Sequence, residues 1–240
     1  MLVAQLSDTH LLCDPNGWLW GRNPAETLAA VMNALPPVDT IVVTGDIADD
    51  GSIEAYRLAD ALTAEKSTHR YFIAGNHDDC DAMRAVFSQV EAVRVVELSE
   101  RWLLVLLNSQ WIGHEAGYVT DSVLERLKSD LDRVETHALL CLHHPPLSPC
   151  PRSDCGLRDS DRLLEVLRGG PVRVVLSGHV HQHFEVRRGG ITFLGAPSTL
   201  VQVRHGDDPH YTDTDAPPAA QLIELHDDGH ATRRFVIAAD

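Results

Sequence analysis

The sequence predicts an α/β fold built around a strand at Thr40–Thr44. This run is apolar and rich in β-branched residues with no polar face, which is typical of a strand buried on both sides. Two more apolar runs, Leu2–Leu6 and Arg70–Ala74, alternate with amphipathic segments, and this order indicates parallel strands joined by helical crossovers. With 240 residues, 44% of them hydrophobic, the chain can bury a full core, so we expect a single domain, 1–240.

Helices are predicted between these strands because both segments begin with capping residues. Asn23 precedes Pro24, which suits the first helical position, and Pro36-Pro37 ends the apolar period of that helix. Ser52 is placed to cap the second helix, which leads back to the strand at Arg70–Ala74. The first third of the chain therefore predicts a β-α-β-α-β unit.

The rest of the chain adds more strands and helices. Strands are predicted at Val93–Leu98, Trp102–Leu107, Ala138–Leu142 and Val172–Ser177, and helices at Asp81–Ser88, Asp121–Val134 and Ser160–Arg168. Beyond His181 the pattern indicates hairpins, first His183–Arg187 with Ile191–Leu194 and then Gln221–Leu225 with Thr232–Ile237. Gly206–Ala219 is acidic and poor in apolar residues, so a mobile loop is expected there. We divide the domain into a ligand-bearing core, 1–183, and a C-terminal β-hairpin region, 184–240.

Ligand-type residues follow five of the predicted strands. They are Asp8 and His10, Asp46 and Asp49, Asn76 and His77, His143, and His179 and His181. In open α/β sheets ligands bind beyond the carboxyl ends of the strands, so these residues are expected to meet at one edge. Any one of these groups taken alone is better explained by helix-capping residues or polar loop tips. Five in series favour a common site.

The types of side chain indicate a metal site. Carboxylates, imidazoles and one amide, without thiolate, suit manganese, iron or zinc. Asp8, His10, Asp46, Asn76, His143, His179 and His181 are too many for one ion that keeps an open position, so two divalent ions are expected, with Asp46 able to bridge them. Two cations roughly 3.5–4 Å apart polarise a phosphoryl group and activate water, so phosphoester hydrolysis is the natural use. A purely structural metal is disfavoured, since structural sites are usually closed by thiolates or imidazoles.

Composition excludes several partners and locations. A net charge of −15 repels polyanions, so binding of a nucleic-acid duplex is not expected. No apolar run approaches membrane-spanning length, and the N-terminus lacks signal-peptide features, so we expect a cytoplasmic protein. Five cysteines without a Cys-x-x-Cys pair suit a reducing compartment. Cys150 and Cys155 could meet on one loop, but free thiols are expected.

Two loops lie beside the predicted site. Cys13–Arg22 carries Trp18 and Trp20, which are equally consistent with surface aromatics packed under a loop and with one wall of a substrate pocket. Pro145–Leu157 is long enough to act as a lid.

The motifs resemble those of the calcineurin-like metallophosphoesterases. The family pattern D-x-H, G-D-x-x-D, G-N-H-[DE], H-x-P and G-H-x-H is matched, in order, by Asp8/His10, Gly45-Asp46/Asp49, Gly75-Asn76-His77-Asp78, His143/Pro145 and Gly178-His179/His181. The resemblance implies a four-layer α/β/β/α sandwich of two mixed sheets, with the metal site at the carboxyl ends of the strands. It also implies a homodimer or larger homo-oligomer.

The resemblance also implies roles for the site residues. Asp8, His10 and His181 would hold one metal ion, and Asn76, His143 and His179 a second, with Asp46 bridging. His77 would stabilise transition-state charge or protonate the leaving oxygen, while Asp49 orients its imidazole. Asn76, His77 and His181 are the expected substrate-binding residues.

Three further runs are similar to the class III cyclic-nucleotide phosphodiesterases within that family. They are Val43-Thr44-Gly45-Asp46 followed by Asp50-Gly51-Ser52, His143-His144-Pro145-Pro146, and Pro197-Ser198-Thr199. This similarity implies hydrolysis of a small phosphodiester, such as 3′,5′-cyclic AMP or a glycerophosphodiester, by a metal-bridging hydroxide. The alternatives are a phosphomonoesterase or nuclease on the same dinuclear core, and a non-catalytic scaffold.

Overall fold

The computed structural model describes residues 1–88, 90–148, 150, 155–204 and 211–238. Within them, in chain order, lie β1 (Leu2–Leu6), α1 (Pro24–Ala34), β2 (Thr40–Thr44), α2 (Ile53–Ala64), β3 (Arg70–Ile73), α3 (Cys80–Val86), β4 (Val93–Ser99), β5 (Trp102–Leu107), α4 (Asp121–Leu131), β6 (His137–Cys141), α5 (Ser160–Leu167), β7 (Val172–Ser177), β8 (Phe184–Arg188), β9 (Ile191–Gly195), β10 (Gln202–Arg204), β11 (Tyr211–Asp213), β12 (Ala219–Leu225) and β13 (Ala231–Ile237).

The predicted β-α-β-α-β unit forms one half of the first sheet, whose strand order is β13-β12-β1-β2-β3. β1, β2 and β3 are parallel, and Leu6 pairs with Val43 at the carboxyl end. The connecting helices begin as predicted, since the Asn23 side chain accepts the Glu26 N–H and the Ser52 side chain accepts the Ala55 N–H. The last two strands are antiparallel and extend the sheet from β1.

The second sheet has the strand order β4-β5-β6-β7-β9-β8. Its four inner strands are parallel, and the two edge strands, β4 and β8, are antiparallel to their neighbours. The C-terminal hairpins therefore complete both sheets: β8 and β9 join the second, whereas β12 and β13 join the first.

The two sheets pack face to face, and the helices cover their outer faces. Val42 of β2, Trp102 and Leu104 of β5, and Leu176 of β7 belong to the apolar cluster between the sheets. On β2 the neighbouring side chains Ile41 and Val43 point the other way, into the core beneath the first three helices. A third cluster joins the second sheet to α4 and α5. This alternation follows the two-residue period of a strand, and it confirms the predicted four-layer sandwich.

The region predicted as a mobile loop, Gly206–Ala219, contains a strand. Tyr211–Asp213 pairs antiparallel with Gln202–Arg204, so the prediction was wrong for this part. The pairing partner is the preceding strand in the chain, and composition does not reveal the backbone hydrogen bonds between these two short strands. Residues 206–210 lie outside the described residues.

The prediction of free thiols at positions 150 and 155 was wrong, because the structure joins Cys150 and Cys155 in a disulfide. Both side chains are buried beside Val180 and Phe184, and this packing brings them together. Cys13, Cys80 and Cys141 are free, as expected. Positions 149 and 151–154 of the predicted lid lie outside the described residues.

Across the described part of the chain, no helix combines the length and apolar character that crossing a membrane requires.

Candidate metal centre

The site lies where the carboxyl ends of the parallel strands in the two sheets meet. Beneath it, the buried Gln5 amide of β1 donates to the Thr44 hydroxyl at 2.8 Å and to the Ser177 carbonyl at 3.0 Å. Thr44 ends β2 of the first sheet and Ser177 ends β7 of the second. These hydrogen bonds fix the two sheets relative to each other at the level of the site.

Side chains from the five predicted loops converge there. The ligand atoms of Asp8, His10 and His181 lie within 4.8 Å of one another, and so do those of Asp8, Asp46 and His143. Asp46 lies between the two halves of the cluster, because its Oδ2 is 3.9 Å from Nε2 of His10 and 3.3 Å from Nε2 of His143.

The remaining predicted ligands lie on the His143 side. Asn76 Oδ1 is 3.2 Å from His143 Nε2, and the centroids of the His143 and His179 rings are 5.1 Å apart. The backbone N–H of His179 donates to Asp8 Oδ1 at 2.9 Å, which ties the last loop to the first. The structure thus brings together all seven residues predicted as ligands.

Three histidines are oriented by hydrogen bonds from their Nδ1 atoms. His143 donates to the Thr44 carbonyl at 2.7 Å, and His181 donates to the Val201 carbonyl at 2.9 Å. The Nδ1 of His10 lies 3.0 Å from a carboxylate oxygen of Asp49. Each acceptor has only lone pairs to offer, so Nδ1 carries the proton and Nε2 faces the cluster. Metal-ligating histidines in proteins are normally held in this way.

Two of these Nε2 atoms face each other directly. Those of His10 and His181 are 3.1 Å apart, and both rings are buried. In neutral rings with protonated Nδ1 atoms, two lone pairs would face each other at this distance and repel. A positive charge between them removes that repulsion, so this pair suits a cation, and the donor set fits a divalent metal.

The backbone at the site is strained. Five of the seven predicted ligand residues are non-glycine residues with positive φ: Asp8 at 54°, His10 at 46°, Asp46 at 48°, His179 at 71° and His181 at 47°. This region is costly for L side chains, and such residues cluster at functional sites. This backbone conformation directs each side chain toward the cluster directly after its strand ends.

Gly75 provides the space that Asp46 occupies. A Cβ atom at Gly75 would overlap both the carboxylate and the backbone nitrogen of Asp46. The glycine of the G-N-H-D motif is therefore required by a close approach between the two loops, and any larger residue would displace the shared carboxylate.

Asp78 holds the same two loops together. Its buried carboxylate accepts the N–H groups of Ile47 and Ala48, both at 3.0 Å, and that of Gly75 at 2.8 Å. Burial and the neighbouring charge of Asp46 raise the pKa of Asp78. The sequence motif contains this residue, but only the structure shows that it organises the loops that carry Asp46 and Asn76.

The electrostatics of the cluster favour cations. Burial alone would raise the pKa of Asp46, but the charge and hydrogen bond of His143 hold it well below its usual range. For His143, burial lowers the pKa, yet the charge of Asp46 and its hydrogen bond raise it more, to about 9. Burial likewise lowers the pKa of His10, and the Asp49 hydrogen bond and nearby carboxylates raise it above its usual value. The carboxylates thus attract positive charge to the centre.

The two residues predicted as catalytic lie at the open side of the cluster. His77 Nδ1 is 3.3 Å from an Asp49 oxygen, and the His77 side chain is 38% exposed. The Asp49 oxygen that faces His77 also accepts from His10. The hydrogen bond from His10 lowers the pKa of Asp49, so the carboxylate stays charged.

Gln110 contacts the site, and sequence analysis did not identify it. Its side-chain amide reaches across from the second sheet and donates to the carbonyls of Gly75, at 2.7 Å, and Asp78. These carbonyls flank Asn76 and His77. No motif or period marks Gln110, because the contact depends on how the two sheets pack.

His144 lies beside the cluster without facing it. The ring is buried, its Nε2 donates to the Glu115 carbonyl at 3.0 Å, and its Nδ1 accepts from the Ser109 hydroxyl at 2.9 Å. Burial and the neighbouring His143 and His179 lower the pKa of His144, which keeps the ring neutral. Both ring nitrogens are engaged, so His144 supports the site rather than offering a ligand.

The family of this chain follows from comparison with known proteins. The profile of the calcineurin-like phosphoesterase family matches residues 1–183, and the chain belongs to that family. The family uses a dinuclear divalent metal centre, which agrees with the ligand clusters described above.

Several named relatives cover almost the whole chain. It is 33% identical to the 3′,5′-cyclic adenosine monophosphate phosphodiesterase CpdA of Pseudomonas aeruginosa, over 95% of this chain and 87% of that protein. It is 35% identical to CpdA of Escherichia coli, over 99% of this chain and 90% of the relative. A 3′,5′-cyclic-nucleotide phosphodiesterase of Nostoc is 32% identical, over 97% and 91%.

Solved structures confirm the fold. A dimetal phosphatase from Danio rerio superposes with a TM-score of 0.70 at 13% identity and covers 99% of both chains. The purple acid phosphatase PPD1 of yellow lupin superposes with a TM-score of 0.66 at 12% identity, covering 98% of this chain and 53% of that one.

Proposed function

We propose that this chain is a metal-dependent phosphodiesterase that hydrolyses 3′,5′-cyclic nucleotides, with cyclic AMP as the leading candidate. The observation that carries the proposal is the convergence of seven ligand-type side chains, with the Nε2 atoms of His10, His143 and His181 turned toward a common centre. The substrate class is supported by relatives named as cyclic-nucleotide phosphodiesterases along almost the whole chain.

We assign the seven ligands to two divalent ions, which are manganese, iron or zinc. Asp8, His10 and His181 hold one ion, Asn76, His143 and His179 hold the other, and Asp46 is shared. The position of Asp46 between His10 and His143 supports this division. When bound, two such ions polarise a phosphoryl group and lower the pKa of water.

His77 is proposed as the general acid. Its Nδ1 faces Asp49, so Nε2 remains for the substrate, and the exposed edge of the ring gives access to a leaving oxygen. A charged Asp49 stabilises the imidazolium that donates the proton, and it simultaneously orients His10. Asn76 and His181 are proposed to contact the phosphoryl group beside His77.

A cavity of about 630 Å³ adjoins this group and is one candidate location for the nucleoside part of the substrate. Asn76, His77, Asn108 and Ile112 are among the residues that line it. Its size is within the range of small-molecule sites in proteins.

The proposal is tested by hydrolysis after controlled metal loading. The chelated protein is reconstituted with Mn(II), Fe(II) or Zn(II) and assayed with cyclic AMP, an aryl phosphodiester and an aryl phosphomonoester. We expect turnover of both diesters, with the monoester a poor substrate. Preference for the monoester would instead indicate a phosphomonoesterase. Absence of turnover with every metal would indicate a scaffold.

Three further properties stay predictions. We expect a cytoplasmic protein that binds no nucleic-acid duplex, and a homodimer or larger assembly. Cell fractionation, a duplex-binding titration and sedimentation velocity test these expectations separately.

A further inference from the structure

An exposed tryptophan side chain covers one side of the cluster. The centroid of the Trp20 ring lies 5.0 Å from that of His10 and 5.9 Å from that of His181, and both contacts are edge-on. Trp20 remains 41% exposed. Among the described residues, it is the one Phe, Tyr or Trp side chain whose ring contacts a predicted metal ligand. An apolar ring of this size left open to solvent beside a polar site is available for a ligand.

The local turn does not explain the choice of tryptophan. Leu19 and Arg22 pair through both backbone hydrogen bonds, at 2.8 and 3.1 Å, and enclose Trp20 and Gly21. Both enclosed residues have positive φ, 49° for Trp20 and 80° for Gly21. Turns of this kind favour Asn-Gly, and a bulky residue at the first position is strained. The backbone of the turn therefore gives no reason for an indole at this position, and the side chain itself must be considered.

The turn that carries the indole is fixed firmly. The Arg22 guanidinium donates to the carbonyls of Leu200 at 2.8 Å, Thr214 at 2.6 Å and Ala216 at 3.0 Å. These bonds attach the loop to two segments near the C-terminal strands. A ring held in this way loses little conformational freedom when a ligand stacks on it.

Trp20 and the proposed general acid flank the same histidine. The His77 ring centroid lies 4.9 Å from that of His10, so the Trp20 and His77 rings are within about 10 Å of each other. We propose that Trp20 is a substrate-binding residue that stacks on the base of the cyclic nucleotide while its phosphate lies at the centre beside His77. This inference rests on the proposed function and adds the residue that recognises the base.

Trp18 provides a matched control on the same loop. It is 69% exposed, and no ring contact between Trp18 and a histidine occurs in the described part of the chain. The sequence alone treats the two tryptophans alike, whereas the structure places only Trp20 against the site.

The competing location for the base is the cavity that His77 lines and Trp20 does not. It is lined by Asp50, Asp79, Asp81 and Ile112, and it has no aromatic wall other than His77 itself. Stacking energy is therefore available mainly on the Trp20 side. Ile112, which is 86% exposed, serves as the probe for the cavity.

The kinetic test compares cyclic AMP with an abasic 3′,5′-cyclic ribose phosphate. Loss of one base–aromatic stack weakens binding by about 5- to 150-fold. We expect Trp20→Ala to raise the KM for cyclic AMP within that range with little change in kcat, and Trp20→Phe to restore most of the loss. The KM for the abasic substrate, and all values for Trp18→Ala, should stay close to wild type.

A binding test avoids turnover. A slowly hydrolysed phosphorothioate analogue of cyclic AMP is titrated while tryptophan fluorescence is followed, and calorimetry measures the affinity. Wild type and Trp18→Phe should show quenching. Trp20→Phe should bind the analogue but lose most of the quenching, because the reporting indole has gone.

Three results would overturn the inference while leaving the proposed function intact. The first is an unchanged KM for cyclic AMP in Trp20→Ala. The second is a raised KM in Ile112→Ala instead, which would put the base in the cavity. The third is an equal loss for both substrates, which would show that Trp20 only supports His10 and His181. If wild type itself does not hydrolyse cyclic AMP, the proposed function fails first.

Discussion

Three histidines among the proposed ligands are each paired with a group that orients the ring. His143 is held by the Thr44 carbonyl, His181 by the Val201 carbonyl, and His10 by Asp49. In each case the orienting group and the histidine come from different segments of the chain. The site is therefore assembled when the chain folds. The ligand atoms are consequently positioned before any ion binds, which lowers the cost of binding.

Asp46→Ala should remove both metal equivalents together, because Asp46 is the carboxylate that the two halves of the site share. We expect hydrolysis to fall at least about 10³-fold, since neither half stays complete. Elemental analysis of the dialysed variant provides the measurement. Asp132→Ala, an exposed carboxylate next to Lys128, is the control and should keep full metal content. Retention of two ions by Asp46→Ala would refute the bridging role.

His77→Ala separates catalysis from metal binding. The ring lies beside the cluster but outside the seven ligands, so we expect kcat to fall by about 10²–10⁴-fold with metal content unchanged. The exposed His230 is a suitable control, and His230→Ala should behave as wild type. Loss of metal in His77→Ala would show that His77 is itself a ligand.

Metal affinity should depend on pH. The pKa of His143 in the metal-free protein is raised to about 9, above the usual 6.5. Between pH 6.5 and 9 the ring therefore carries a second proton, on Nε2, and is positively charged. An ion must displace that proton, and affinity for Mn(II) should therefore rise with pH up to about 9, by about tenfold per unit for each proton released. Titrations at three pH values in this window, with proton release followed in weak buffer, give the test. A flat profile would contradict the expectation.

At the scale of elements, the loops after the strands are organised by a few buried polar contacts. Asp78 connects the loops that follow β2 and β3, and Gln110 connects the second of these loops to the other sheet. The helices contribute by covering the sheets, and within the described residues all seven proposed ligands lie on loops rather than on helices. The positions of the site residues thus depend on hydrogen bonds between loops, and the two packed sheets hold those loops in place.

Asp78→Asn should reduce stability. The carboxylate accepts three backbone N–H groups, and an amide would present a donor toward one of them. We expect the free energy of unfolding to fall by about 2–3 kcal/mol in urea titrations. Asp79→Asn is a close control: Asp79 caps α3 by accepting the N–H groups of Asp81 and Ala82, and asparagine caps nearly as well. Equal stability of the two variants would contradict the role assigned to Asp78.

For the whole molecule, the sequence was most informative where a local pattern determines the structure. The apolar runs located β1, β2 and β3, and the polar residues after the strands located the side chains that converge where the two sheets meet. The order of strands and the contact of Gln110 depend on which distant segments pack together, and no local pattern encodes that. Cys150 and Cys155 are only five residues apart, but their packing beside Val180 and Phe184 could not be predicted from the sequence. The short strand Tyr211–Asp213 was missed because the segment around it is acidic and poor in apolar residues, although it pairs with the preceding strand Gln202–Arg204.

The whole fold brings two sheets together so that the proposed ligands from both meet at one edge. Asp8, His10, Asp46 and Asn76 follow strands of the first sheet, while His143, His179 and His181 follow strands of the second. Neither sheet alone offers enough ligands for two ions. The central claim is therefore that a pair of metal ions lies at the junction of the two sheets.

Anomalous diffraction from a crystal soaked in Mn(II) tests that claim most directly. We predict two peaks roughly 3.5–4 Å apart, the separation usual for two-metal sites. One should lie against Asp8, His10 and His181, the other against Asn76, His143 and His179, with Asp46 touching both. A single peak, or two peaks that do not share Asp46, would contradict the account.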